Sequence, residues 1–186
     1  RADRSPGEFY QLDIEMSFVE QEDVFKVVET LMVNLFKKFS SKKILSTKFP
    51  RITYKEAMLN FGTDKPDLRN PLVIKDITNL FTRDDVTFDI FKKLVSNGSK
   101  VRCIVTKETK DKPRSFFDNI DKWSKEQGAS GLAYFTLEKT NKISGKGPIG
   151  KFFGEESLKE LMKSCKMDIG DSLFMACGDV NEVEKI

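Results

Sequence analysis

The sequence predicts an α+β protein, and two kinds of hydrophobic spacing support that prediction. Residues 8–18 alternate between polar and apolar side chains, which is typical of a strand with one face in a core. Elsewhere apolar residues recur at helical spacing, and helix-capping residues precede several of these stretches. Strands and helices of modest length, mixed within 186 residues, favour a small α+β architecture.

The composition excludes several kinds of catalytic and metal site. The sequence contains no histidine, which removes Ser-His-Asp and Cys-His catalysis and the common His-ligated zinc sites. Cys103, Cys165 and Cys177 lack CxxC spacing, so we expect buried free thiols in a reducing, cytoplasmic setting. No apolar run approaches the roughly 20 residues of a membrane helix, so no membrane partner is expected. The net charge of +3 is more typical of a solvated lysine surface than of a nucleic-acid site.

The first predicted element is the strand of residues 8–18. Its inward face would hold Tyr10, Leu12, Ile14, Met16 and Phe18, and its outward face Phe9, Gln11, Asp13, Glu15 and Ser17. Ser17 and Glu20 have capping-box spacing and predict the start of a helix that ends at Lys37 and Lys38. Its apolar stripe predicts packing against a core and consists of Val24, Val27, Val28, Leu31, Met32, Leu35 and Phe36.

A second capping box, Thr53 to Glu56, predicts a short helix closed by Gly62. The following stretch, GTDKPDLRNP at 62–71, has the composition of a loop. Its charged residues Lys65, Asp67 and Arg69 could hold a ligand, but a solvated connector is the commoner use of such a loop.

After Pro71 the sequence predicts a second region of mixed strands and helices, with the boundary near residues 71–75. Ser115 is the predicted start of one helix, and Gly128 its stop. The expected elements are a helical turn at 76–81, strands at 101–105, 131–137 and 172–176, helices at 115–127 and 155–165, and a Gly-Lys-Gly-Pro loop at 145–148.

The outward face of the opening strand has the chemistry of an aminoacyl-nucleotide site. An aromatic ring such as Phe9 stacks on a planar base for about 1–3 kcal/mol. Asp13 lies about 13 Å further along a strand and can accept an ammonium group. Gln11 between them offers a donor and an acceptor, and Arg1 and Arg4 could reach phosphate oxygens. The alternative is a strand with an ordinary mixed polar face, which is commoner.

Three stretches resemble bacterial-type aspartyl-tRNA synthetases, which are class II enzymes built on an antiparallel sheet. RADRSPGEFYQLDIEMSF at 1–18 resembles the second half of motif 2, and ITYKEAMLNFGTDKPDLRNP at 52–71 resembles the helix and loop that follow it. The remainder is similar to the GAD domain inserted between motifs 2 and 3, through EQGASGLAYFTLE, GPIGKFF and GDSLFMACGD. The resemblance implies part of a class II catalytic domain at 1–71 and a small α+β GAD insertion domain at 72–186.

The resemblance also implies roles for individual residues. Phe9 would stack on the adenine of ATP, Arg4 would reach the terminal phosphates, and Gln11 would line the adenylate site. Asp13 would bind the α-ammonium group of L-aspartate. Ser5-Pro6-Gly7 is one residue longer than the family's usual Gln-Pro, so either Ser5 or Gly7 would take the place of an ATP-contacting glutamine.

Other parts of the family's enzymes have no counterpart in this sequence. The catalytic arginine of an FRDED-like run, motif 1, the motif 3 arginine and the anticodon-binding barrel are missing, so we expect an internal segment that is inactive alone and holds no complete catalytic set. The parent enzyme would be a cytoplasmic homodimer that uses ATP, Mg²⁺, L-aspartate and tRNA, with no metal site in this segment.

An alternative function is an RNA-binding or positioning module, because GAD-like domains also occur in a tRNA-dependent amidotransferase subunit. A basic loop followed by two aromatic residues is the candidate RNA-facing element and comprises Lys107, Lys110, Lys112, Arg114, Phe116 and Phe117. The commoner reading is a solvated loop followed by an aromatic pair that faces the core. A purely structural insertion also fits the sequence.

Overall fold

The computed structural model describes residues 7–183, apart from the side chain of residue 181. Its backbone contacts form two compact units, one up to Arg51 and one from Ile52 onward. The predicted division at residues 71 and 72 concerns the domain organisation of the parent enzyme and stays a prediction. The helix and loop of residues 52–71 pack with the region that follows them, since Ile74 N–H donates to Asn60 O at 2.9 Å.

The first unit is built on one long helix, α1 (Gln21–Phe39). Its N-cap is Glu20, which forms a capping box with Asp23, so the predicted cap at Ser17 is wrong. The reason lies in the backbone, because Phe18 has a left-handed conformation with φ of 57° and the chain cannot continue a helix through it. The predicted end is confirmed, since Lys37 and Lys38 occupy the last turn.

The apolar stripe of α1 is largely exposed, so the prediction that it packs in a core is wrong. Val33 is the one buried helix residue in this unit, and Ile14 and Met16 flank the Val24–Val27–Val28 part of the stripe. On another side of α1, Arg51 lies 4.5 Å over the Phe25 ring and pairs with glutamates of the helix. Ile14 and Met16 thus lie beside only part of the stripe, and most of its side chains stay exposed in the described part of this unit.

The second unit begins with α2 (Tyr54–Phe61), which confirms the capping-box prediction. Thr53 Oγ1 accepts from Glu56 N–H at 3.2 Å, and Gly62 ends the helix with φ of 65°. The elements that follow are β1 (Lys75–Asp76), a 3₁₀ helix (Thr78–Thr82), α3 (Asp89–Ser96), β2 (Lys100–Thr106), α4 (Arg114–Glu126), β3 (Ala133–Lys139), β4 (Ile143–Lys146), a second 3₁₀ helix (Gly150–Phe152), α5 (Glu155–Ser164), β5 (Ser172–Gly178) and α6 (Val180–Val183).

The five strands form one antiparallel sheet in the order β1-β2-β5-β3-β4, which confirms the predicted α+β class and antiparallel sheet. Because side chains alternate along each strand, the sheet has two packed faces. Leu173 and Met175 of β5 lie in the main core together with α3 and α5 residues. Phe174, between them, faces the opposite way and stacks on Phe117 of α4. The sheet is thus covered on both faces, which fixes the position of any residue along β2 and β5.

Some boundaries differ from the predictions. The segment predicted as a helical turn at 76–81 is the end of β1 followed by a 3₁₀ helix, and the N-cap of α4 is Pro113 rather than Ser115. The predicted loop at 145–148 begins inside β4, and α3 had no prediction.

The backbones of Gly145 in β4 and Gly150 lie very close together, because a Cβ on Gly150 would lie 2.1 Å from the Gly145 carbonyl oxygen. Only glycine fits that contact.

Candidate functional site

Residues 8–18, which contain most of the predicted site, have an irregular backbone, so the predicted strand is wrong. Phe9 is 68% exposed, and Gln11 and Asp13 are exposed as well. Arg4 and Ser5 lie outside the described residues. The apolar residues expected to face a core are also exposed, including Tyr10 and Leu12.

The physical reason is the lack of a neighbouring strand. No backbone hydrogen bond joins residues 8–18 to another part of the chain within residues 7–183. A strand leaves its N–H and C=O groups unpaired until another strand lies beside it, and a single strand is not stable in water. Alternation alone therefore indicates which face a strand would bury, but it does not supply the partner.

One part of the predicted arrangement is present in the exposed segment. Gln11 Nε2 donates to Asp13 Oδ1 at 2.7 Å, so these two side chains lie on the same side of the chain, as the period of two predicts. The Phe9 ring is exposed on the same segment. The structure thus brings the amide and the carboxylate together and leaves the aromatic ring accessible.

The charges of the 62–71 loop are paired within the loop. Arg69 donates to both carboxylate oxygens of Asp67, at 2.8 and 2.6 Å, and Lys65 Nζ lies 2.9 Å from Asp64 Oδ2. The hydrogen bonds from Arg69 lower the pKa of the Asp67 carboxyl group to about 2. This pairing favours the interpretation of the loop as a solvated connector.

The basic loop near α4 also has partners inside the protein. Lys107 Nζ donates to Asp171 Oδ2 at 2.7 Å and to Asp168 Oδ2 at 3.0 Å. Lys112 lies 6.0 Å over the Phe116 ring, and Arg114 Nε is 3.5 Å from a carboxylate one helical turn away. Lys107, Lys112 and Arg114 therefore have partners within the second unit, whereas Lys110 is exposed.

The aromatic pair after that loop is divided between two environments. Phe117 is buried and stacks on Tyr134 with ring centroids 4.7 Å apart, whereas Phe116 is half-buried. The core-facing position of Phe117 supports the interpretation of a solvated loop followed by packing residues.

Two groups of polar side chains that sequence reasoning missed lie inside the second unit. Arg102 of β2 is 9% exposed and pairs with Asp76 of β1, its register neighbour. Asp171 is buried and accepts from Lys107 Nζ and from the backbone N–H groups of Glu108 and Asp168. The sequence around these residues does not indicate that they are buried, because a single charged residue at an alternating position is normally assigned to the solvent face.

The cysteines follow the predicted pattern of free thiols. Cys103 and Cys165 are buried with their sulfur atoms 3.9 Å apart, and Cys177 is half-buried. The neighbouring Cys165 thiol, together with burial, raises the pKa of Cys103, and burial raises the pKa of Cys177 to about 11.

Across residues 7–183 no three Cys, Asp or Glu side chains cluster as a metal site would require. No helix in the same range is long and apolar enough to cross a membrane.

Comparison with known proteins gives a family match over most of the chain. The family model for tRNA synthetases class II (D, K and N) matches residues 1–168. The chain is 74% identical over 186 residues to an aspartate–tRNA(Asp/Asn) ligase of Pelagibacter ubique (strain HTCC1062), covering 100% of this chain and 31% of that protein. Proteins of the same name from Beijerinckia indica and Ehrlichia canis are 49% identical over 183 residues and 53% identical over 174 residues.

Those two alignments cover 98% and 94% of this chain, and 30% and 29% of the respective relatives. The chain therefore spans about 30% of the length of the curated relatives that it matches.

Proposed function

We propose, from the premise that this chain belongs to the class II tRNA synthetase family (D, K and N), that it is part of an aspartate–tRNA ligase. The family membership confirms the predicted resemblance to class II aspartyl-tRNA synthetases. The observation that supports the proposal most strongly is 74% identity, over every residue of this chain, to a protein of that name.

The proposed reaction has two steps. A carboxylate oxygen of L-aspartate attacks the α-phosphorus of ATP, and pyrophosphate leaves to give aspartyl adenylate. A hydroxyl of the terminal tRNA ribose then attacks the aspartyl carbonyl carbon, and AMP leaves. The names of the relatives extend the proposal to charging of both the aspartate and the asparagine tRNA. Mg²⁺ enters as part of the ATP substrate, bound to its phosphates.

We assign residues 1–13 to the nucleotide and amino-acid site. Phe9 stacks on adenine, Gln11 lines the adenylate, and Asp13 accepts the α-ammonium group of aspartate. Arg4 and Ser5 complete the ATP-binding set. The exposed Phe9 ring and the shared side of Gln11 and Asp13 support this assignment, because these groups have the spacing and chemistry that the ligand requires.

Residues 72–186 are proposed to be the GAD insertion domain. The sheet and the main core consist of residues from Lys75 onward, which supports a separate module in this range. An amidotransferase-type RNA module has less support, because the class II family match starts at residue 1 and the basic loop pairs internally. The parent enzyme is proposed to act as a homodimer in the cytoplasm.

By itself the chain is proposed to be inactive in adenylate formation. The exposure of Phe9, Gln11 and Asp13 supports this, since an open segment cannot hold ATP and aspartate in line for attack.

A segment exchange tests the proposal. The matching region of the Pelagibacter ubique ligase is replaced by this chain, and aspartate-dependent ATP–pyrophosphate exchange and tRNA charging are measured. We expect the exchanged enzyme to be active and Asp13→Asn in it to lower kcat/KM for aspartate about 100-fold or more, because the ammonium group loses its charged partner.

Glu15→Gln is the matched control, since Glu15 shares the alternation of Asp13 and is likewise exposed. It is expected to leave kcat/KM unchanged. An exchanged enzyme that folds but neither activates aspartate nor charges tRNA would contradict the ligase proposal. An active enzyme in which Asp13→Asn has no effect would contradict only the role of Asp13.

A further inference from the structure

An apolar pocket of about 160 Å³ lies on the sheet face that α4 covers. Most of its wall comes from β2, β5 and α4, and Val183 of α6 and the loop residues Ile74 and Leu132 complete it. The residues that matter for binding are Ile104 of β2, Ala176 of β5 and Trp123 of α4. Trp123 is 51% exposed, so the pocket reaches the protein surface at this residue. The pocket lies within the second unit and has no part in the proposed ligase site.

Arg102 is the one charged residue among the lining residues, which are apolar apart from Thr106 and the thiol of Cys103. Its position is fixed by β-pairing on both sides, with Asp76 of β1 and Ala176 of β5 as register neighbours. The side chain is nine-tenths buried, and its guanidinium group forms an ion pair with Asp76. Asp76 is itself held by the Thr78 backbone N–H, which donates to Oδ1 at 2.8 Å.

The Nε–H of Arg102 is buried and has no hydrogen-bond partner within residues 7–183. A buried donor without a partner costs about 1–3 kcal/mol, and such groups in folded proteins are normally satisfied by protein, water or ligand. Because Arg102 lines the pocket, a ligand bound there can supply the acceptor that this donor lacks.

The size and charge of the pocket restrict what that acceptor can belong to. A dry cavity of about 150 Å³ lined by apolar side chains holds one benzene ring in another protein, so this pocket has room for one six-membered ring. The charge of Arg102 is already balanced by Asp76. A second carboxylate would bring an unpaired negative charge against apolar walls, which is unfavourable. The site thus suits an uncharged acceptor.

We propose that this pocket is a small-molecule site for an uncharged, ring-sized apolar compound bearing one carbonyl oxygen. The ring packs between Ile104, Ala176 and Trp123, and the carbonyl oxygen accepts the Nε–H of Arg102. This proposal goes beyond the ligase function and does not rest on it.

Benzamide is the probe for a direct test, with toluene as the ring without a carbonyl and benzoate as the charged analogue. Trp123 is the one tryptophan of the sequence, so its fluorescence reports pocket occupancy. The Arg102 Nε–H signal in a ¹H–¹⁵N spectrum, assigned by its loss in Arg102→Lys, reports the hydrogen bond. We expect a saturable fluorescence change with benzamide, a shifted Nε–H signal, and weaker binding of benzoate.

Two variants separate the hydrogen bond from the apolar contact. Arg102→Lys keeps the positive charge beside Asp76 but removes the Nε–H, so it should weaken benzamide about tenfold and leave toluene unchanged. Ala176→Leu fills the pocket and should abolish binding of both, and it keeps the test decisive if Arg102→Lys fails to fold. A lack of saturable response to benzamide, equal benzamide affinity in Arg102→Lys, or an unmoved Nε–H signal at saturation would each overturn the proposal.

Discussion

Residues 8–18 and the stretch that contains β2 (Lys100–Thr106) are both predicted to form strands, yet only β2 does so. The difference lies in their neighbours. β2 lies between β1 and β5, and pairs along its whole length with β5, whereas residues 8–18 have no paired strand within the described part of the chain. Alternation predicts the face that a strand would bury, and a hydrogen-bonded partner decides whether the strand forms.

The same difference separates the two kinds of candidate site. Phe9, Gln11 and Asp13 have the chemistry of the proposed ligase site but lie on an open segment. Arg102 has a less recognisable sequence context, but the strands beside it hold its side chain in one place. Preorganisation therefore comes from the sheet and not from the pattern of residue types.

The largest expected contrast is between two leucine substitutions. Leu161 of α5 is 0% exposed, and Leu161→Ala should lower the free energy of unfolding by about 2–5 kcal/mol because it leaves a cavity in the core. Leu12 is 72% exposed, and Leu12→Ala should change that free energy by less than about 0.5 kcal/mol. Urea unfolding followed by circular dichroism measures both. A loss of similar size in Leu12→Ala would mean that the opening segment packs in solution, and the comparison would fail.

A smaller contrast concerns the pH dependence of the buried carboxylate Asp171. Burial alone raises the pKa of Asp171, but hydrogen bonds from Lys107 and from two backbone N–H groups outweigh it and leave the pKa below its ordinary value of 3.8. The unfolded chain therefore binds this proton more readily than the folded one. The stabilisation is present above about pH 4 and is lost as the pH falls through the lower, folded-state pKa.

Asp171→Asn should lower the free energy of unfolding at pH 7 by about 1–3 kcal/mol. When the free energy of unfolding is measured as a function of pH, the values for the variant and the original protein should converge in acid. Asp168→Asn is the matched control, because Asp168 also contacts Lys107 but its side chain is 81% exposed. We expect that control to change the free energy of unfolding by less than about 0.5 kcal/mol. Parallel curves for Asp171→Asn and the original protein down to pH 2 would contradict the assigned pKa shift.

The sequence was most informative where a signal is local. Both ends of α2 depend on contacts within a few residues, and the structure has those contacts. The capping box of Thr53 and Glu56 begins the helix, and Gly62 ends it. The strands near residues 101–105 and 172–176 were found because apolar runs of strand length lie between turn residues, although each strand is longer than predicted.

The sequence was least informative where a distant neighbour decides the outcome. β4 was missed because its glycine, Gly145, resembles a loop residue, and only the approach of Gly150 explains it. Arg102 was overlooked because its burial depends on Asp76 and on the helices that cover this face. The family resemblance indicates candidate residues for the proposed ligase site, but it does not predict that their segment is open in this structure.

The smallest contrast tests which of two predicted helix caps is real. Thr53→Ala should lower the free energy of unfolding by about 1 kcal/mol, because the Glu56 N–H loses the oxygen that accepts its hydrogen bond. Ser17→Ala should have no measurable effect, since Glu20 and Asp23 form the capping box of α1. Glu20→Ala should instead reduce the helical circular dichroism signal.

Thr53→Ser is the matched control for Thr53→Ala, because it keeps a hydroxyl oxygen at the N-cap and should retain most of the stability. A loss in Ser17→Ala as large as that in Thr53→Ala would restore the cap predicted from the spacing of Ser17 and Glu20. It would also mean that the left-handed backbone of Phe18 is not maintained in solution, since that conformation is what prevents α1 from starting at Ser17. The behaviour of one exposed serine thus reports whether the segment before α1 is open, as in this structure, or ordered against α1.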